Sequence, residues 1–318
     1  MRVATLLDNA QLHLTRDMPP IESVRGSLGF DSGKLQRSTL TGQWLGGSVT
    51  LRVSELRDRT RTGLFIQAQG LLDAQKLVAL AGFEPLTEVA GETPWSGELS
   101  YQPQESGRPA RWRLDADASL VGVSSRLPEP LSKAVVTAVP LRVEASGSGV
   151  EAEVGITLGN RLRSQLALSR TAQESEVSRS RWRIERGAVS FGTGSVSVPS
   201  EPLIAVHGEV DRFDFPAYAS LWQRAGNFTN VPAIVADLIA QQLWLAGRSF
   251  PDVRVQARKA SGFPTELDLE SSELNGSVRW PSQHPEVRLT AQSLDADERA
   301  RIVTQLEDSW SDSVVTVN

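Results

Sequence analysis

The chain has 318 residues, 40% of them hydrophobic and 6% aromatic, with 25 Gly and 17 Pro, a balance that suits many short strands and turns. It carries no cysteine, which excludes a disulfide framework and a thiolate metal site. A net charge of −5, from 33 Lys plus Arg against 38 Asp plus Glu, argues against a nucleic-acid binder, which needs a basic face.

Taken in chain order, the first residues, Met1-Arg2-Val3-Ala4-Thr5-Leu6-Leu7-Asp8, break their apolar run at Asp8. They offer neither a full apolar leader region nor a small-residue cleavage site, so no signal peptide is read there. A period-two pattern then sets in. Ala10, Leu12 and Leu14 open it, and Val49, Leu51 and Val53 alternate with Ser48, Thr50, Arg52 and Ser54. Leu64, Ile66 and Ala68 follow, then Trp112, Leu114, Ala116 and Ala118, then Ala152, Val154, Ile156 and Leu158 against Glu151, Glu153 and Thr157. Val253, Val255 and Ala257, Leu267 and Leu269, and Val287, Leu289 and Ala291 complete the series. Successive side chains on a strand point to opposite faces, so each segment predicts a strip with one oily and one wet side. The apolar stretch over 231–247 contains Pro232, Asp237, Gln241 and Gln242, too polar and too short for a membrane span.

Three short helices are predicted among the strands, each opening at an aspartate. Asp73 precedes a helix over 74–81 with Gly82 as its C-cap; Asp214 precedes one over 215–225, with Pro216 in the first turn and Gly226 beyond the end. Asp295 precedes the third, over 296–306, where Glu298 completes a capping box. These aspartates are read as N-caps rather than metal ligands. The recurrence of strand, turn and short helix predicts stacked modules rather than one globule. There is no clean domain boundary. The polar stretches 146–149 and 171–180 are read as hairpin turns or exposed loops within one continuous segment, 1–318, with possible sub-modules 1–145 and 146–318.

No catalytic constellation is found, and the chain is read as a non-enzyme. His13, His207 and His284 are the only histidines and lie apart in sequence, and no G-x-S-x-G elbow, P-loop or G-x-G-x-x-G occurs. Glu266, Asp268 and Glu270 alternate on one strand face and are read as a solvated face rather than a calcium site, since Leu267 and Leu269 fill the other side. Arg179, Arg181 and Arg183 are read as a wet face in the same way. The eight tryptophans, several beside Gly or Pro at predicted strand ends, are read as core filling and sheet-edge capping. No cofactor or metal is expected.

Three stretches carry a family resemblance. Arg25-Gly26-Ser27-Leu28-Gly29-Phe30-Asp31-Ser32-Gly33-Lys34-Leu35 leads to Leu40-Thr41-Gly42-Gln43-Trp44-Leu45-Gly46-Gly47-Ser48-Val49. Leu120-Val121-Gly122-Val123-Ser124-Ser125-Arg126-Leu127-Pro128-Glu129-Pro130-Leu131-Ser132-Lys133 ends in Val139-Pro140-Leu141-Arg142-Val143. Leu243-Trp244-Leu245-Ala246-Gly247-Arg248-Ser249-Phe250-Pro251-Asp252-Val253 precedes Leu274-Asn275-Gly276-Ser277-Val278-Arg279-Trp280-Pro281. This ordered set resembles the YhdP family of AsmA-like and TamB-like bacterial envelope proteins. The resemblance implies a long, curved, mostly antiparallel sheet forming a U-shaped hydrophobic groove, an inner-membrane anchor, a periplasmic location and a role in moving phospholipid toward the outer membrane. The chain is expected to be an interior or C-terminal portion of such a protein, with the anchor carried elsewhere.

The groove also agrees with the strand pattern. About eighteen strands at about 4.8 Å spacing would span on the order of 85 Å. The side chains expected to line the groove are Val49, Leu51, Val53, Leu64, Ile66, Trp112, Leu114, Ala116, Val154, Ile156, Leu158, Val253, Val255, Leu267, Leu269, Val287 and Leu289. Their expected partners are phospholipid acyl chains. A closed sandwich is the alternative fate of such strands. The alternative function is an assembly module docking another inner- or outer-membrane envelope protein; a glycan hydrolase lacks a carboxylate pair to carry it.

Overall fold

The computed structural model describes residues 2–14, 18–32, 34–57, 62–80, 88–105, 107–170, 182–218, 232–245, 247–259, 265–280, 286–291, 295–309 and 314–317. In chain order the strands are β1 (Arg2–Leu12), β2 (Ile21–Asp31), β3 (Lys34–Leu35), β4 (Ser38–Trp44), β5 (Gly47–Arg57) and β6 (Thr62–Asp73), then helix α1 (Ala74–Leu80). They continue as β7 (Val89–Gln102), β8 (Arg111–Ala118), β9 (Val123–Ser125), β10 (Leu141–Ser148), β11 (Glu151–Leu158), β12 (Leu162–Arg170), β13 (Trp182–Phe191) and β14 (Leu203–Asp214). The last elements are β15 (Ala233–Leu245), β16 (Arg248–Lys259), β17 (Thr265–Glu270), β18 (Leu274–Trp280), β19 (Glu286–Ala291), α2 (Ala296–Ser309) and β20 (Val314–Val317). The fold is thus mainly β with a few short helices. Two units form: residues 1–126, 133–159 and 167–183, and residues 127–132, 160–166 and 184–318.

In the first unit the strands pair antiparallel as a meander. β1 pairs with β2, β2 with β4, and from β4 to β8 each strand pairs with its successor; β8 then pairs with β10 and β10 with β11. Short turns make this possible. Between β4 and β5, Leu45 and Gly46 hold φ of 47° and 84°, the two left-handed residues whose twist matches that of the flanking strands in a two-residue hairpin. Between β10 and β11 the turn is Gly149-Val150, and Ser146 to Ser148 are the end of β10, so the polar stretch 146–149, read as a hairpin turn or exposed loop, is the strand end and first turn residue of the β10–β11 hairpin. The core of this unit is Ile21, Val24, Leu40, Val49, Leu51, Val53 and Ile66, with Leu7, Leu28, Trp44 and Leu99 packed against it.

The second unit is mixed. β13, β14 and β15 run parallel, β15 to β19 antiparallel, and β20 returns parallel to β19 after α2. The stretch weighed above as a membrane span is β15, a strand. Its buried positions change parity, from Leu238 and Ala240 to Leu243 and Leu245, with Gln241 and Gln242 exposed between them. The register skips Asp211–Gln241 and Gln241–Asp252, and Asp252 has a φ of 49°. That local kink turns both halves of the strand into one core, which holds Val210, Phe213, Leu238, Ala240, Leu243, Phe250, Val253, Val255, Leu269 and Ile302.

The three helix starts form as the sequence predicts. Asp73 Oδ1 accepts from the backbone N–H groups of Gln75 and Lys76 at 2.8 and 3.3 Å. Asp214 Oδ1 accepts from Ala217 at 3.1 Å, and the chain is helical over 215–218. Asp295 and Glu298 exchange bonds reciprocally, at 2.7 and 3.2 Å, the geometry of a capping box. Gly82, the helix beyond 218, Gly226, the stretch 171–180, Arg179, Arg181 and His284 lie outside the described residues.

Candidate functional site

Strand register turns the sequence alternation of the first unit into rows that run across the strands. One row reads Val53, Ile66, Leu99, Leu114, Ala145 and Val154 from β5 to β11, each residue directly opposite the next. The neighbouring row reads Leu51, Ala68, Gly97, Ala116, Val143 and Ile156, and a third reads Val49, Gly70, Trp95, Ala118, Leu141 and Leu158. On the other edge Leu64, Tyr101, Trp112, Gly147 and Ala152 align. Small side chains cluster where the rows cross β6 to β8: Ala68, Gly97 and Ala116 in the second row and Gly70 and Ala118 in the third, with Trp95 between the last two.

Burial divides this face. At β5 and β6 the rows are covered: Val49, Leu51, Val53 and Ile66 are buried, although Leu64 is exposed. From β8 to β11 the large apolar side chains of the same rows, Trp112, Leu114, Leu141, Val143, Val154, Ile156 and Leu158, are only half-buried, as is the smaller Ala116. Burying apolar surface is worth about 25 cal/mol per Å², so this strip retains apolar area that a ligand or neighbour can still cover. Trp112 covers part of it itself. A Cβ on Gly147 would come within 2.6 Å of its indole, so only glycine leaves the ring that space. Trp95 lies against Trp44, with ring centroids 5.3 Å apart, and Trp44 Nε1 donates to the Pro19 carbonyl at 3.2 Å. Core filling accounts for these two rings.

The reverse face of β8 and β10 is charged. Arg113 donates to both oxygens of Asp115, at 2.9 and 3.2 Å, and Arg142 to Glu144 at 3.2 Å; Arg142 also stands 3.8 Å from Asp117. The Arg113 hydrogen bond holds the Asp115 carboxyl below its ordinary range, and the same bond raises Arg113. These groups neutralise one another and keep that face wet.

In the second unit the expected lining residues are packed. Val253, Val255 and Leu269 are buried in the core and Leu267 rests against it; the side chains of Val287 and Leu289 lie outside the described part. Glu266, Asp268 and Glu270 stand opposite Arg258, Gln256 and Arg254, and Glu266 lies 3.5 Å from Arg279. That is a cross-strand charge ladder. Among the described residues no group of His, Asp and Glu is placed to hold a metal ion. His207 lies on β14 with Nε2 3.1 Å from the Ser195 carbonyl; His13 is exposed.

One feature of this unit escaped sequence reasoning. Arg161 donates to the carbonyls of Pro130 and Ser132 at 3.1 and 2.5 Å, and Tyr218 donates to the Glu129 carbonyl at 2.7 Å while stacking on Phe213. Burial raises the Tyr218 hydroxyl well above its ordinary pKa. Segment 127–132 is therefore pinned by side chains 29 to 89 residues away; only its prolines signalled a fixed shape.

No helix among the described residues is long and apolar enough to cross a membrane. No curated protein and no solved structure is significantly similar to the chain. The family model of the YhdP protein matches residues 2–312, nearly the whole length and all three stretches that carry the resemblance. The chain belongs to the YhdP family of bacterial envelope proteins.

Proposed function

We propose that this chain is a periplasmic sheet segment that shields phospholipid acyl chains during transport between the inner and outer membranes. The observation that carries the reading is the half-buried apolar strip on β8, β10 and β11, backed by a charged face and continuous in register with the covered rows of β5 and β6. An acyl chain lying along such a strip gains about 0.8 kcal/mol per buried CH₂, while its headgroup stays in water. Family membership supports the lipid-related setting. The test is crosslinking from a photoreactive residue at position 114 or 113, followed by mass spectrometry of the adducts. Lipid adducts from position 114 and none from 113 are expected; equal adducts from both, or none from either in the full-length envelope protein, would sink the reading.

A second reading, docking of another envelope protein, is favoured by one patch. Val136 is 81% exposed beside Val135 and Val121, also exposed, on the segment between β8 and β10. Native mass spectrometry decides between the two: bound phospholipid supports the first, a stoichiometric protein partner the second.

A further inference from the structure

We infer that the apolar strip of the first unit takes a phospholipid whose headgroup carries a phosphate and a primary ammonium, seated at Arg108 and Glu105, with the acyl chains laid along β8 and β10 toward Ala118 and Leu141. This rests on the lipid-shielding reading and adds to it the class of lipid and its direction. The two ends of the strip differ. At the far end it is closed: Leu72 and Thr93, opposite one another on β6 and β7, are buried. There the chain after β8 folds back, so that Val123 pairs with Gly91 and the Val139 N–H donates to the Ser119 carbonyl, and both valines are buried. At the near end Leu64 and Tyr101 are each 38% exposed, and Trp112 beside them is half-buried. Such amphipathic rings suit the level at which apolar chains give way to a headgroup. From Trp112 to Ala118 the strand covers about 20 Å at about 3.4 Å per residue, room for an acyl chain, whose layer in one leaflet is about 15 Å deep.

Beyond that rim the β7–β8 hairpin adds one cation and one anion to the same face. Tyr101 stands opposite Trp112 and Gln102 opposite Arg111, and farther out Glu105 and Arg108 exchange both backbone bonds, at 3.2 and 2.8 Å. Pro103 and Pro109, which lack an N–H, interrupt the ladder without shifting its register. Even steps from Tyr101 and Trp112 therefore place Glu105 and Arg108 on the apolar side of the hairpin and leave Arg111 on the reverse. Glu105 and Arg108 are both exposed, and among the described residues neither side chain forms an ion pair or a hydrogen bond. Arg113, Arg142 and Arg254, by contrast, are each taken up by a carboxylate. Two opposite charges free at facing positions are the complement of a zwitterion. The Arg108 guanidinium donates charge-assisted bonds to phosphate oxygens, and the Glu105 carboxylate accepts from an ammonium. A trimethylammonium offers Glu105 no N–H donor and a glycerol headgroup offers it no cation, so an ethanolamine headgroup fits this pair best.

A photoreactive residue at position 114 of the full-length envelope protein tests this. The protein is exposed to vesicles of equimolar phosphatidylethanolamine, phosphatidylcholine and phosphatidylglycerol with identical acyl chains, and the adducts are sorted by headgroup in mass spectrometry. Enrichment of phosphatidylethanolamine by about threefold is expected, the worth of one exposed ion pair. Glu105→Gln should erase that enrichment while keeping the total adduct, Arg108→Gln should lower all three lipids, and Arg111→Gln should change neither. Adducts at 114 with no headgroup preference, a preference that survives Glu105→Gln, or an Arg108→Gln loss no larger than that of Arg111→Gln would each overturn the inference and leave the lipid-shielding reading standing. No lipid adduct at 114 from any of the three would end both.

Discussion

Asp237 accepts from both ends of the Arg254 guanidinium, Nε to Oδ1 at 2.8 Å and a terminal nitrogen to Oδ2 at 2.6 Å. That bond holds its carboxyl below the ordinary carboxylate range. A group whose pKa is depressed by folding contributes stability that is present above its unfolded pKa and lost as pH falls through the folded one. Thermal melting should therefore decline below about pH 4, and Asp237→Asn should show a shallower acid limb while melting lower at neutral pH. An identical acid limb would assign the loss to Asp115, whose carboxyl is likewise held low by its arginine partner. Tyr218 offers a neutral counterpart. Tyr218→Phe keeps the ring on Phe213 but removes the bond to Glu129, and should lower stability by about 1 kcal/mol in a denaturant titration.

Helix α2 shows how one element depends on two unlike contacts. Its start is fixed by the Asp295 and Glu298 capping box and its middle by Ile302, 2% exposed in the core. Asp295→Ala should cost about 1 kcal/mol and Ile302→Ala about 2 to 5 kcal/mol. Hydrogen exchange distinguishes them: the cap variant should free amides only in the first turn of α2, the core variant across the second unit. Both contacts bear on what the sequence makes legible. Caps are local, and an aspartate before a helical run could be read directly at Asp73, Asp214 and Asp295. Strands with one wet face, such as β5, β8 and β11, were equally plain. β15 was not, because its apolar residues run almost unbroken from Ala233 to Ala240 even though Ile239 stands exposed on the outer face, and its change of parity depends on a kink shared with β14 and β16. Nor do residues 127–132 announce in sequence which distant side chains hold them.

Across the whole molecule, the same alternating pattern meets two fates. Val255 is buried in a core of the second unit, whereas Leu114 stands in the half-buried strip of the first. Val255→Glu should therefore unfold the second unit, since a buried carboxylate without a partner costs several kcal/mol. Leu114→Glu should leave a native circular-dichroism spectrum and abolish lipid retention in native mass spectrometry. If both variants unfold, the strip is structural core and its proposed role falls. Sequence alone could name both residues as apolar-face positions. It could not separate them, because burial depends on which rows have something lying over them, and register is set by turn lengths and by bulges such as the register shift between Leu7 and Ala10 of β1.

The meander of the first unit also bears on how the chain acquires its shape. From β4 to β8 each strand hydrogen-bonds the one just made, so the contacts that reward folding are close in sequence and cost little loop entropy. A chain emerging N-terminus first can add each strand to an existing edge as it appears. The parallel trio β13, β14 and β15 cannot grow that way: the chain must run back along the length of a strand before β14 can lie beside β13, and again before β15 can lie beside β14. Assembly should therefore advance smoothly through the first unit and pause at β14, with the growing edge at β13 exposed for that interval.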